Sequence, residues 1–292
     1  WPQGSDSIIG INKDDLDSED YGRVVIDSSS KLAQLITGGT DKGLTASEVR
    51  NVKELTIDRD SGLTDLSELY KLTSLEELTI KNLKDTEIKL DGIENVLKLK
   101  YICFYNCNLA DYSKMQSLTD LEYLYLYNSN NEEVQKICTS MQNKDYTKLK
   151  YLGIFGVSLS NLSTITNDSR ESTNVTDISP LNSLSQNTKN SVSYLILNNN
   201  NISSLNGISA FTNLSTLRIE GNTIEGIAEC RDMNNLAFLT MQNNKVESLT
   251  GLENCKKLET LCAYNNNLTN IEAIANNTIL EYLHLANNTN LQ

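Results

Sequence analysis

Two residues in this chain have the types that nucleophilic chemistry needs. Cys262 and His284 stand 22 residues apart, at the same place in two successive units of a 22-residue pattern. A thiol beside an imidazole is the core of a nucleophile–base pair. Nothing beside them supplies an acidic group to orient the imidazole or a donor for an oxyanion, so chance adjacency is the expectation. A second candidate is the acidic run Asp14, Asp15, Asp17, Glu19 and Asp20, which offers oxygen ligands. It lacks the glycine and the terminal glutamate of a calcium loop and reads as a solvated acidic loop. Sequons such as those at Asn161, Asn174 and Asn201 are expected by chance in a chain with 37 Asn. The sequence therefore assigns no catalytic residue, no metal ligand and no cofactor.

The wider composition agrees. With a single His among 292 residues, acid/base and zinc chemistry have little material. Net charge is −13, against the basic stripe that a nucleic-acid backbone requires, so no nucleic-acid partner is expected. No apolar run reaches eighteen residues, so membrane insertion is not expected either. Six cysteines lie in a long chain without paired spacing. They are expected to be mostly free and buried, acting as small apolar residues. The first residue is Trp1 rather than Met, and Leu291-Gln292 falls within a repeat unit. The expectation is either a removed targeting segment or a piece cut from a longer chain, which continues past Gln292.

What positions any functional side chain here is a repeat. Units begin at Val52, Leu75, Leu99, Leu121 and Leu149, then at Val192, Leu214, Leu236, Leu258 and Leu280. The last five are spaced by 22 residues each time, and all follow L-x-x-L-x-L-x-x-N/C-x-L. Leu195 and Leu197 alternate with Tyr194, Ile196 and Asn198, the period of a strand with one buried face. Asn200, Asn222, Asn244, Asn266 and Asn288 recur at position nine, where a buried amide can satisfy a turning backbone; Cys107 takes that place in the third unit. Ile202, Leu205, Ile208 and Phe211 follow at a spacing of three, which suits a 3₁₀-like return.

Deviations mark the rest. Asn131–Val134 with Ile137 and Met141 reads as an N-capped amphipathic helix. The unit 149–191 reads as expanded, with a degenerate eleventh unit as the alternative: after a polar stretch, Ser163–Thr173, the return pattern resumes at Val175, Ile178, Leu181 and Leu184. Upstream, Val24–Asp27 is a strand candidate and Lys31–Ile36 a short helix ended by Gly38-Gly39. Thr45 to Glu48 has capping-box spacing. Residues 1–50 are therefore expected to be an N-terminal extension and cap, and 51–292 an array of about ten units.

The 22-residue units, with Ile178-Ser179-Pro180-Leu181 in a return, resemble the internalin-type leucine-rich repeats of bacterial surface proteins. The entry segment, Val25-Ile26-Asp27, Leu32–Ile36, Gly43–Val49 and Val52–Leu55, is similar to the cap of many bacterial leucine-rich proteins and strengthens this. The resemblance covers residues 24–292. It implies an α/β fold, a right-handed leucine-rich-repeat solenoid with a curved parallel sheet on the concave face and short 3₁₀ or helical turns on the convex face. It also implies a non-enzymatic binding or adhesion role at the cell surface or outside the cell. An intracellular interaction scaffold built from such units is the alternative.

Strand positions three, five and seven are expected to point outward, on the concave side. Nine of the thirteen tyrosines fall in these three columns, although the core pattern does not require it. Neighbouring strands lie about 4.8 Å apart. Tyr101, Tyr105, Tyr123, Tyr125, Tyr127, Tyr151 and Phe155, with Tyr194 beyond, are thus expected to form an aromatic binding patch for a protein or carbohydrate ligand, on a monomer. Tyrosines chosen simply as good strand residues are the bland alternative.

Overall fold

A computed structural model describes residues 7–8, 11–12, 22–85, 89–157 and 174–292. The acidic run at 14–20, the sequon at Asn161 and the polar stretch 163–173 lie outside the described residues. The chain divides into two compact units, Trp1–Leu121 and Glu122–Gln292.

In the first unit, β1 (Ser7–Ile8) pairs antiparallel with β2 (Ile11–Asn12). Next, β3 (Val24–Ile26) pairs antiparallel with β4 (Leu44–Thr45). Between β3 and β4 lies α1 (Lys31–Thr37), capped by the Ser30 hydroxyl and closed by Gly38 at φ 75°. A left-handed residue there suits glycine. The short α2 (Ala46–Val49) starts with the expected reciprocal capping box between Thr45 and Glu48. Parallel strands follow: β5 (Glu54–Asp58), β6 (Glu77–Lys81) and β8 (Tyr101–Tyr105), in one register that aligns Glu54 with Glu77 and Glu77 with Tyr101. The small strands β7 (Lys84–Asp85) and β9 (Asn108–Leu109) also pair in parallel.

The second unit continues with β10 (Tyr123–Tyr127), β11 (Tyr151–Phe155), β12 (Tyr194–Ile196), β13 (Thr216–Arg218), β14 (Phe238–Thr240), β15 (Thr260–Cys262) and β16 (Tyr282–His284). Each pairs in parallel with the next, position three on position three. The inward leucines explain this register, because a one-residue slip would expose the whole ladder. Leu195, Leu197, Leu217 and Leu239 are all fully buried. Most returns are 3₁₀ turns, such as Ile208–Ala210 and Ala228–Asp232. Together these features are the leucine-rich-repeat solenoid, with parallel strands on one side and short turns on the other.

Helix α3 (Asn131–Met141) forms as its periodicity predicts, but its cap is Asn130, whose Oδ1 accepts from Glu133 N at 2.9 Å. In the expanded unit, Val175, Ile178, Leu181 and Leu184 are buried as a return should be. A further helix, α4 (Gln186–Ser191), was not expected from its polar residues. Ser185 caps it, and the buried Thr188 accepts from Tyr146 N at 3.0 Å.

Two asparagine columns hold successive repeats together. At position nine the amide spans two units: Asn244 Nδ2 donates to Ile219 O (2.9 Å) and Met241 O (3.0 Å), and its Oδ1 accepts from Ile224 N (3.0 Å). Asn222 and Asn266 repeat the pattern. Cys107 imitates it in part, its thiol donating to Ile80 O at 3.2 Å. Position eight is different in kind. Asn82, Asn106, Asn128, Asn199, Asn243, Asn265 and Asn287 all have positive φ, and Gly221 takes the same place at φ 71°. Asparagine tolerates that left-handed turn out of the strand.

These two columns should respond oppositely to substitution. Asn244→Ala leaves two buried carbonyls and one N–H without their partner, at a cost of about 3 kcal/mol by the usual penalty per group. Asn243→Gly keeps the left-handed turn and should cost no more than about 1 kcal/mol. Urea unfolding followed by circular dichroism measures both.

Candidate functional site

The candidate site is built from β10, β11 and β12 in the second unit. Because the strands are in register, position three brings Tyr123, Tyr151 and Tyr194 into one line. Tyr123 and Tyr151 are stacked at 4.3 Å between centroids with planes 1° apart, and Tyr151 stacks on Tyr194 at 4.5 Å. At position seven, Tyr127 stacks on Phe155 at 4.3 Å. Tyr125 sits between the two stacks at position five, edge-on to Tyr123, Tyr127 and Phe155. Edge-on and stacked contacts both satisfy the ring quadrupole. Six of the eight residues singled out by the sequence thus form one packed cluster. All six are half-buried rather than fully exposed.

Gly153 makes this packing possible. It is the position-five residue of β11, between Tyr151 and Phe155. A Cβ there would collide with the Phe155 ring and lie 2.9 Å from Tyr125. The missing side chain is the space into which both rings close. Lys150 adds charge, its Nζ lying 5.5 and 5.6 Å from the Tyr151 and Tyr194 centroids, within cation–π range. Tyr125 is desolvated by its neighbours. Burial, and then the nearby hydroxyls of Tyr127, Tyr123 and Tyr151, push its phenol up to about 12.

The other two named residues belong to the first unit. Tyr105 is exposed at 38% and carries Lys81 Nζ at 4.9 Å from its ring centre. Tyr101 is half-buried at the other end of β8, four residues away. Position five is less open than its column suggested: Cys103 is only 3% exposed, and burial raises its thiol to about 11.

Cys262 and His284 align in the ladder as the repeat phase requires. Their surroundings are not those of a nucleophile pair. Burial raises the Cys262 thiol, the opposite of what thiolate formation needs. His284 packs its ring against Tyr264 at 4.5 Å and edge-on to Tyr282. All six cysteines are buried and none is in a disulfide. Among the described residues, no group of three or more His, Cys, Asp or Glu side chains gathers to hold a metal ion. No helix among them is long and apolar enough to cross a membrane.

The sequence reading missed a polar cluster next to the rings. Arg218 and Glu220 occupy positions five and seven of the unit that contains β13, and Thr240 Oγ1 donates to Glu220 Oε2 at 2.6 Å. The signal was present in those columns, but a lone Arg and Glu among uncharged residues do not announce a pair with their neighbours.

Comparison with known proteins fits this architecture. A family model of leucine-rich repeats in two copies matches residues 234–276. No curated protein matches the chain. Internalin C2 of Listeria monocytogenes aligns with 82% of this chain and 95% of its own, at 20% identity and a TM-score of 0.53. The functional domain of InlJ from the same organism, described as including a cysteine ladder, aligns with 92% of this chain and 61% of its own at 16% identity, TM-score 0.50. TLR13, solved in complex with ssRNA13, aligns with 84% of this chain but 35% of its own at 16% identity, TM-score 0.56. The class is therefore a leucine-rich-repeat solenoid. Within that class, the bacterial internalin-type repeat is the form this chain resembles, by its repeats and by shared fold.

Two measurements check the site chemistry. Tyr125 is neutral when protonated and its folded phenol titrates above the unfolded one. Its contribution to stability is therefore complete below about pH 10 and is lost as pH rises toward about 12. Tyr125→Phe should flatten the fall in unfolding midpoint across that window. Separately, a thiol-reactive dye at neutral pH should label the native protein far more slowly than the urea-unfolded protein, with no fast-reacting Cys262.

Proposed function

We propose that this chain is a non-enzymatic ligand-binding module of an exported or cell-surface bacterial protein, with residues 1–50 as extension and cap and 51–292 as the binding array. The observation that carries the reading is the cluster of Tyr123, Tyr125, Tyr127, Tyr151, Phe155 and Tyr194 on the outward face of three adjacent strands. No core requirement places six rings there. Clustered aromatics at a surface suit recognition, since each ring offers large contact area for little loss of side-chain freedom.

The geometry favours a protein over a glycan. A sugar is usually held against an open ring face. Here Tyr151 has one face on Tyr123 and the other on Tyr194, and Tyr127 and Phe155 cover one another. Ring edges are what such stacks present outward, and edges pack well against aliphatic and backbone groups. An intracellular scaffold is the second reading. It is favoured by six buried cysteines outside any disulfide, which suit a reducing compartment.

A panel of immobilised extracellular proteins and a glycan array, each probed with the purified chain, test the proposal together. Tyr127→Ala with Phe155→Ala should abolish the interaction found, a loss of at least about tenfold in affinity, while the fold stays intact by circular dichroism. Retained affinity in the double variant would reject the aromatic cluster as the site.

A further inference from the structure

Among the described residues, β5 is the edge strand of its sheet in the first unit, and its register shows which backbone groups face outward. Glu77 N donates to Lys53 O at 3.1 Å, and Glu54 pairs with Glu77. In a parallel ladder of this register, Lys53, Leu55 and Ile57 direct their backbone groups to β6. The N–H and C=O of Glu54 and Thr56 therefore point the other way. Among the described residues, no hydrogen bond meets these four groups on that side. Nearby α1 and α2 bury their apolar residues Leu32, Ala33, Ala46 and Val49 without pairing with the β5 backbone. Beside the edge lies a groove of about 510 Å³. Its apolar side is Leu35, Ile36 and Val52, all half-buried, and its rim carries the exposed carboxylates of Glu54 and Glu77 with one exposed ammonium, Lys53.

We propose that the β5 edge is a strand-addition site for an extended basic peptide segment. The added strand would take the N–H and C=O groups of Glu54 and Thr56 as its ladder partners. Side chains alternate across a strand, so the residues of the segment level with Glu54 and Asp58 share the outward face of those carboxylates. Lys or Arg is the complementary choice at these two places, four residues apart. The residues level with Leu55 and Ile57 face the other way, as those two buried side chains do, and are apolar. The recognised pattern is thus basic, apolar, any, apolar, basic. The chain's charge of −13 supports attraction of such a segment at long range. The site is separate from the aromatic cluster and does not depend on it.

The test uses a terminally blocked, dye-labelled peptide Lys-Val-Thr-Ile-Lys, flanked by glycines, with Glu-Val-Thr-Ile-Glu as control. Fluorescence anisotropy should show saturable binding of the basic peptide only, weakening as salt rises. Amide exchange of Glu54 and Thr56, followed by NMR, should slow by about tenfold or more when the basic peptide is added. Thr56→Pro removes one outward donor at a place where an edge strand tolerates proline, and should weaken binding about tenfold. If that variant fails to fold, Glu54→Lys with Glu77→Lys gives the same reading, again with about tenfold weaker binding. Absent binding overturns the proposal, as does binding that leaves the two amides unchanged. Amides already slow before the peptide is added, which would mean that the chain's own N-terminal segment occupies the edge, overturn it equally.

Discussion

The rest of this fold depends on a buried primary amide. A repeat whose chain must leave the strand and turn back exposes backbone carbonyls inside the core, where no water can meet them. Asn at position nine answers with two donors and an acceptor. Asn222 reaches Leu197 O in the preceding repeat at 2.9 Å and Ile219 O in its own at 2.9 Å, and accepts from Ile202 N. Each such residue thus fixes the rise and rotation from one unit to the next. Where the side chain differs, the bonding thins: Cys107 offers one weak donor in place of two strong ones. A repeat array without these bonds would retain its leucines but lose the common register that aligns its columns.

That register makes the aromatic face possible. Tyr151 stacks within 1° of parallel on Tyr123 because their strands pair residue for residue and the backbone spacing holds them near ring-stacking distance. The rings therefore need no rearrangement to form a surface. A ligand that meets them bears little of the ordering cost that a loop-borne site would impose. Gly153 completes the arrangement by omission, since any larger residue would force Tyr125 and Phe155 apart.

Much of this was legible in the sequence, and the reasons are specific. Leucine periodicity revealed the strands and their phase, because burial of one face is a collective demand that many residues repeat. The capping box at Thr45–Glu48 and the helix ending at Gly38 were local signals with local causes. Helix α4 was not legible: Gln186–Ser191 shows no apolar stripe, and its cap, Ser185, resembles many other serines here. The left-handed position eight was also overlooked, although a run such as Asn243-Asn244 contains both roles in order. Chemistry at Cys262 was suggested by adjacency alone, and burial of the thiol could not be read from spacing.

The columns also divide by charge and by polarity along the chain. In the first unit, the outward positions of β5 and β6 carry Glu54, Asp58 and Glu77, with Lys81 leaning on Tyr105. In the second, β10 to β12 are aromatic, and the units beyond them carry Arg218, Glu220 and then the His284–Tyr264 contact. Inward positions show no such drift in polarity, being mostly leucine or isoleucine, with Phe104, Met241 and Ala263 as the apolar exceptions. The two sets answer to different constraints. Inward residues must stay apolar in every unit, while outward residues are constrained only by neighbours one strand away. Pairwise constraint of that kind permits short runs of similar character, two or three strands wide. Three strands is the width of the tyrosine cluster, so stacking alone accounts for its tightness. Stacking does not account for its composition: threonine and isoleucine serve strands as well, and occupy these same columns at Thr56, Thr79 and Ile196. The choice of six rings in one place is the part of the structure that stability leaves unexplained, and it is the observation on which the proposed recognition role rests.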